Sequence, residues 1–119
     1  MSEPWPTELK VIDQGRKLAI SFDDASHFEL TAELLRVESP SAEVRGHGPG
    51  QEQLVFGKRL VTITNIEPIG TYAARIMFSD GHATGLYTWA YLAKLGREQE
   101  SFWQAYLNKL QAEGRSRDP

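Results

Sequence analysis

Hydrophobic and polar positions alternate over the first part of the chain. Leu9 and Val11 sit between polar neighbours, and Leu18, Ile20 and Phe22 alternate with Lys17, Ala19 and Ser21. That period of two predicts half-buried strands, and Gln14-Gly15-Arg16 between them predicts a hairpin turn. Asp23-Asp24-Ala25-Ser26 forms a second turn signal, because short acidic and hydroxyl side chains bond their own backbone there. Phe28 and Leu30 then resume the alternation as the third strand of a meander. Thr31 is placed to cap a short helix from Ala32 to about Val37, with Glu33 in its first turn. Pro40 pushes Ser39 out of the helical region and ends it.

From Ser39 to about Gly57 the pattern lapses, and Arg45-Gly46-His47-Gly48-Pro49-Gly50-Gln51 reads as a loop. A loop of this length in a small domain is more often functional or mobile than idle. Val61, Ile63, Ile66 and Ile69 predict a strand with an irregularity near Asn65, turned by Gly70. Tyr72, Ala74, Ile76 and Phe78 alternate most cleanly, Asp80-Gly81 predicts a hairpin turn, and a last short strand runs through about Leu86. Thr88 caps a helix carrying Trp89, Leu92 and Leu95, with Gly96 expected to close it in a left-handed conformation. Phe102, Trp103, Tyr106, Leu107 and Leu110 share one face of a second helix from about Gln99, ended by Gly114. The expected fold is α+β: a small antiparallel β-meander with hairpins, about six strands, a short central helix and two C-terminal helices. Residues 1–6 are expected to form an extended tail, 7–113 a single domain, and 114–119 a flexible tail.

Composition narrows the chemistry. The 119 residues are 40% hydrophobic and 24% charged, enough apolar material for one core and too much for a disordered chain. Net charge is -3 with no Lys/Arg block, so nucleic acid is not an expected partner. There is no cysteine, which excludes disulfides, thiolate metal sites and cysteine nucleophiles. Met1 to Pro6 carries neither a basic segment nor an apolar run, and no apolar run is long enough for a membrane span. The cytoplasm is the expected compartment, with no membrane partner.

Few residues offer chemistry. His27, at the head of a strand, reads as an ordinary surface histidine. Arg45 and His47 lie where glycine-freed N–H groups and a guanidinium could hold an anion, or could pin the loop through its own carbonyls. His82 follows Asp80-Gly81 and reads as a turn histidine bonded to Asp80, since no metal-ligand spacing surrounds it. Asp23 and Asp24 are adjacent and cannot converge as acid and base, and no serine lies in a nucleophile elbow. Trp89, Trp103 and Tyr106 are accounted for by helical packing. No catalytic constellation and no cofactor are expected.

Two segments carry a family resemblance: Leu34-Leu35-Arg36-Val37-Glu38-Ser39-Pro40-Ser41-Ala42-Glu43-Val44-Arg45-Gly46-His47, and Phe78-Ser79-Asp80-Gly81-His82 with Tyr87-Thr88-Trp89-Ala90-Tyr91-Leu92. With the meander they resemble the γ-butyrobetaine hydroxylase-like N-terminal domain family, over about residues 7 to 110. In the hydroxylases the resemblance implies a zinc module of three cysteines and one histidine ahead of an oxygenase domain. The cysteine positions fall on Ser39, Ser41 and Val44, and the histidine on His82. Hydroxyls and an alkyl group in place of thiolates imply no structural zinc. The iron-binding oxygenase domain has no counterpart in the sequence, so hydroxylation is not implied. The module is also similar to an appendage of Mrp-type P-loop ATPases of iron–sulfur cluster assembly, which implies an adaptor.

These readings converge on a non-catalytic interaction domain with a protein partner, linked through the resemblance to iron–sulfur or metalloprotein assembly. The candidate binding group is Arg36, Arg45, His47, Asp80, His82, Tyr87 and Trp89. Three alternatives stay open: anion or metabolite binding through Arg45-Gly46-His47, an accessory role to a metal-dependent oxygenase, and a His47–His82 acid–base or iron pair. Self-association through an exposed strand or the aromatic helix is also open.

Overall fold

The computed structural model describes residues 5–40 and 54–119. Strands β1 (Pro6–Ile12), β2 (Lys17–Phe22) and β3 (His27–Thr31) form an antiparallel sheet in the order β1-β2-β3. Helix α1 (Ala32–Val37) follows directly, its N-terminus capped by Thr31, whose Oγ1 accepts the Leu34 N–H at 3.0 Å. A second antiparallel sheet, β4-β5-β6, is built from β4 (Ile63–Ile69), β5 (Ala73–Phe78) and β6 (Leu86–Thr88). Helices α2 (Trp89–Arg97) and α3 (Gln99–Ala112) complete the regular structure of the described residues. The expected α+β meander, central helix and paired helices are all present.

Alternation sets which face is buried. Leu18, Ile20 and Phe22 of β2, Leu30 of β3, and Ala74, Ile76 and Phe78 of β5 meet Leu34 and Leu35 of α1 and Leu92 and Leu95 of α2 in one core. The irregularity anticipated near Asn65 is a register shift between Ile63 and Asn65 opposite β5. Gly15 links the two sheets. Its φ is +87°, and a Cβ there would lie 2.8 Å from the Ile63 carbonyl oxygen, so the first hairpin turn abuts β4 in a way only glycine permits.

Three expectations are corrected. Tyr72 does not begin the inward alternation of β5. Its N–H bonds to the Ile69 carbonyl in the turn after Gly70, and its ring is exposed. Gly96 does not close α2 in a left-handed conformation, since the helix runs to Arg97 and Glu98 is its C-cap. Its missing Cβ instead makes room for the Phe28 ring, whose carbons would be 2.4–2.9 Å from a Cβ at this position. Gly96→Ala should therefore destabilise by about 1–3 kcal/mol through overpacking. Phe28→Leu in the same chain should recover part of that loss in urea unfolding, and an unaltered midpoint for Gly96→Ala alone would contradict the packing argument.

The third correction concerns the segment after α3. Gly114 (φ +65°) ends that helix as anticipated, with the Arg115 N–H reaching back to the Leu110 carbonyl at 2.9 Å and the Gly114 N–H to Gln111 at 3.2 Å. The residues beyond it, expected to be loose, are paired. The Gly57 and Arg59 N–H groups donate to the Ser116 and Arg117 carbonyls at 3.0 and 2.9 Å. Arg117 makes two hydrogen bonds to Glu33 of α1, at 2.9 and 2.7 Å. A charged, polar segment reads as tail from sequence because its partners lie far away in the chain.

Candidate functional site

The end of α1 and the turn after β5 meet. Glu38 and Ser39 close the helix through backbone bonds to Leu34 and Arg36. The carbonyls that the helix end leaves open are taken by two tyrosines. Tyr87 donates its hydroxyl to the Leu35 carbonyl, and Tyr91 donates to the Glu38 carbonyl at 2.6 Å. On the other side, Asp80 Oδ1 accepts the His82 N–H at 3.1 Å, and the Phe78 N–H donates to the His82 carbonyl at 3.0 Å. This turn delivers the imidazole inward, where Ser39 Oγ and His82 Nε2 are joined by a buried 2.9 Å hydrogen bond. The expected His82–Asp80 bond therefore exists through the backbone N–H, while the ring is directed to Ser39.

Gly85 makes this closure possible. A Cβ there would lie 2.4 Å from Ser39 Oγ and 3.1 Å from the Tyr87 ring. Nothing local in Ala83-Thr84-Gly85-Leu86 distinguishes this glycine from a loop glycine, so its role depends on the tertiary contact. Tyr87 itself is fully buried and Trp89 nearly so, with the Trp89 indole N–H held by the Thr71 carbonyl at 2.8 Å. Both are core side chains, which corrects their placement among the candidate contact residues.

Outside this buried pair lies a charged cluster. Asp80 Oδ2 receives Arg36 Nε at 2.8 Å and Lys58 Nζ at 2.6 Å. Lys58 was not foreseen, being an isolated lysine in an irregular stretch. Among the described residues, Arg36 Nη1 is buried with no hydrogen-bond partner. Burial pushes the Asp80 carboxyl up, but the Lys58 ammonium, the His82 N–H and Arg36 together outweigh it and hold the group at about 2, against an ordinary 3.8. A carboxyl depressed in the folded state contributes stability that is present above about pH 4 and lost as pH falls toward 2. Asp80→Asn should flatten that part of the acid limb when urea midpoints are followed against pH. A variant with the wild-type acid limb would assign the loss to other carboxylates.

Arg45, His47, Ser41 and Val44 lie outside the described residues. Of the four positions that the family resemblance assigns to zinc, Ser39 and His82 are described, and they are bonded to each other in a space that Gly85 just leaves open. This donor set does not fit zinc, because a neutral serine hydroxyl is a poor substitute for thiolate and Val44 has no donor atom. Among the described residues no group of three His, Cys, Asp or Glu side chains could hold a metal ion. No catalytic constellation is found among them, and no helix among them is long and apolar enough to cross a membrane.

Comparison with known proteins agrees with this geometry. The family model described as gamma-butyrobetaine hydroxylase-like, N-terminal, matches residues 9–93. Two proteins with solution NMR structures are similar over nearly the whole chain. One is 39% identical with a TM-score of 0.85, covering 99% of this chain and 93% of its own. The other is 48% identical with a TM-score of 0.84, covering 98% and 87%. A protein of unknown function of the DUF971 family from Acidithiobacillus ferrooxidans, known from a crystal structure, is 37% identical with a TM-score of 0.67, covering 80% of this chain and 98% of its own. No curated protein matches. With residues 9–93 matched and no cysteine for a zinc site, this chain belongs to the gamma-butyrobetaine hydroxylase-like N-terminal family.

Proposed function

We propose that the chain is a non-catalytic adaptor that works in the cytoplasm by docking to another protein, through its Arg45–Gln51 and His82–Trp89 segments. The observation that carries this reading is the set of large apolar side chains around that segment. Leu86 within it is 41% exposed, and Tyr72 and Trp5, which flank Trp89, are 53% and 51% exposed. The Trp5 and Trp89 rings meet edge to face at 6.5 Å. Rigid aromatic side chains presented above a packed core suit a protein contact. The position where the family's metal chemistry would sit is closed by Ser39 and His82, which leaves the surface as the working part. A metalloprotein or iron–sulfur assembly partner follows from the family's company alone.

A quantitative pull-down from native lysate tests this, comparing wild type with Tyr72→Ser/Leu86→Ser and with Arg45→Ala/His47→Ala. Loss of one specific protein from both variants, at unchanged melting temperature, is expected. Equal capture by all three chains would sink the reading.

One observation favours a second reading, anion binding. Among the described residues, two cations, Arg36 and Lys58, share the Asp80 carboxylate. A carboxylate or phosphate metabolite at a hundred times its dissociation constant should stabilise by about 2.7 kcal/mol. A flat thermal-shift screen would remove that reading and leave the adaptor untouched.

A further inference from the structure

A groove lies beside α3, apart from the face discussed above and independent of its reading. Three separate parts of the chain converge there. Glu33 of α1 is only 6% exposed and carries a charge that burial penalises unless it is paired. Trp103 of α3 forms a wall, with the Arg117 guanidinium 4.9 Å from its ring centroid. The backbone of residues 57–59 presents N–H groups spaced to receive an extended segment, and Gly57 and Arg59 use them on Ser116 and Arg117. An acidic floor, an aromatic wall and a backbone edge that pairs with an extended strand are the three elements by which proteins read an arginine in an extended peptide.

The pocket is occupied in this chain by its own residues. Arg117 reaches Glu33 with a two-pronged hydrogen bond, and the pairing raises the guanidinium's pKa further, chiefly through the Glu33 hydrogen bonds. Asp118 pairs with Arg59 at 2.7 Å, which fixes an acidic residue directly after the arginine. The occupant does not fill the site. An open cavity of 320 Å³ remains beside Arg117, also lined by Gln99 and Glu100. It leaves room for a ligand with a longer side chain before or after the arginine.

We propose that this groove is a peptide-recognition site for an extended protein segment carrying arginine followed by an acidic residue, held closed in cis by residues 116–118. Gly114, at φ +65°, joins that segment to α3 and is the point about which it can be released. A partner bearing the same pattern binds by displacing it.

The test uses the full-length Arg117→Ala chain and a labelled peptide Gly-Arg-Ser-Arg-Asp-Pro, the sequence of residues 114–119. Saturable binding is expected, together with recovery of melting temperature in the presence of peptide. A peptide with lysine at the Arg117 position should bind about tenfold more weakly, because lysine lacks the planar fork. The Glu33→Gln/Arg117→Ala chain should not bind. A folded Arg117→Ala chain that fails to bind the peptide overturns the proposal and makes the segment purely a structural closure. Should Arg117→Ala not fold, the wild-type chain decides. A tethered segment competes at millimolar effective concentration, so peptide at about 10 mM should shift the Trp103 indole N–H and the Gly57 and Arg59 amide resonances. Unmoved resonances there overturn the proposal as well.

Discussion

Replacing His82 with alanine should lower the unfolding free energy by about 3 kcal/mol, which for a domain of this size corresponds to a fall in melting temperature of about 10 °C. The side chain is buried, packs at 6.2 Å from the Phe78 ring and holds Ser39 Oγ at 2.9 Å. Its loss leaves a polar cavity between the end of α1 and the turn after β5. Ser39→Ala should cost less, about 1–2 kcal/mol, because it removes a hydrogen bond while keeping the imidazole in place. The double variant should fall short of the sum by about 1 kcal/mol, the signature of a direct contact. A metal chelator added to wild type should change nothing, since the contact is a hydrogen bond between protein groups. A melting temperature that drops with chelator would mean that a metal, and not Ser39, holds His82.

The elements of this fold were legible wherever their signal is local. The alternation of Leu18, Ile20 and Phe22, the caps Thr31 and Thr88, the bulge beside Asn65 and the left-handed Gly114 each follow from residues within a few positions. What could not be read depends on residues brought together by the tertiary fold. Gly96 looks like a helix terminator until Phe28, far back in β3, is found against its Cα. Lys58 looks like an ordinary solvated lysine until Asp80 is found beside it. The candidate site divides along the same line. The meeting of Ser39 and His82 was implied by the family resemblance alone, and Asp80 was placed by its turn. Gly85, which the site requires, gave no signal in its own neighbourhood.

The misjudged segment after α3 leads to the second large effect. Arg117→Ala should destabilise the chain by about 2–3 kcal/mol, toward the lower end for breaking a buried ion pair because the Arg117 side chain keeps 30% of its exposure. The variant strands the Glu33 carboxylate beneath α3 and strips the Trp103 face of its cation. Glu33→Gln should cost less, since the amide keeps an acceptor for the guanidinium and Arg117 can extend to solvent along its own stem. Urea midpoints of the two variants measure this difference. Equal losses would mean that the segment is held by its backbone pairing with residues 57–59 and that the charge pair adds little.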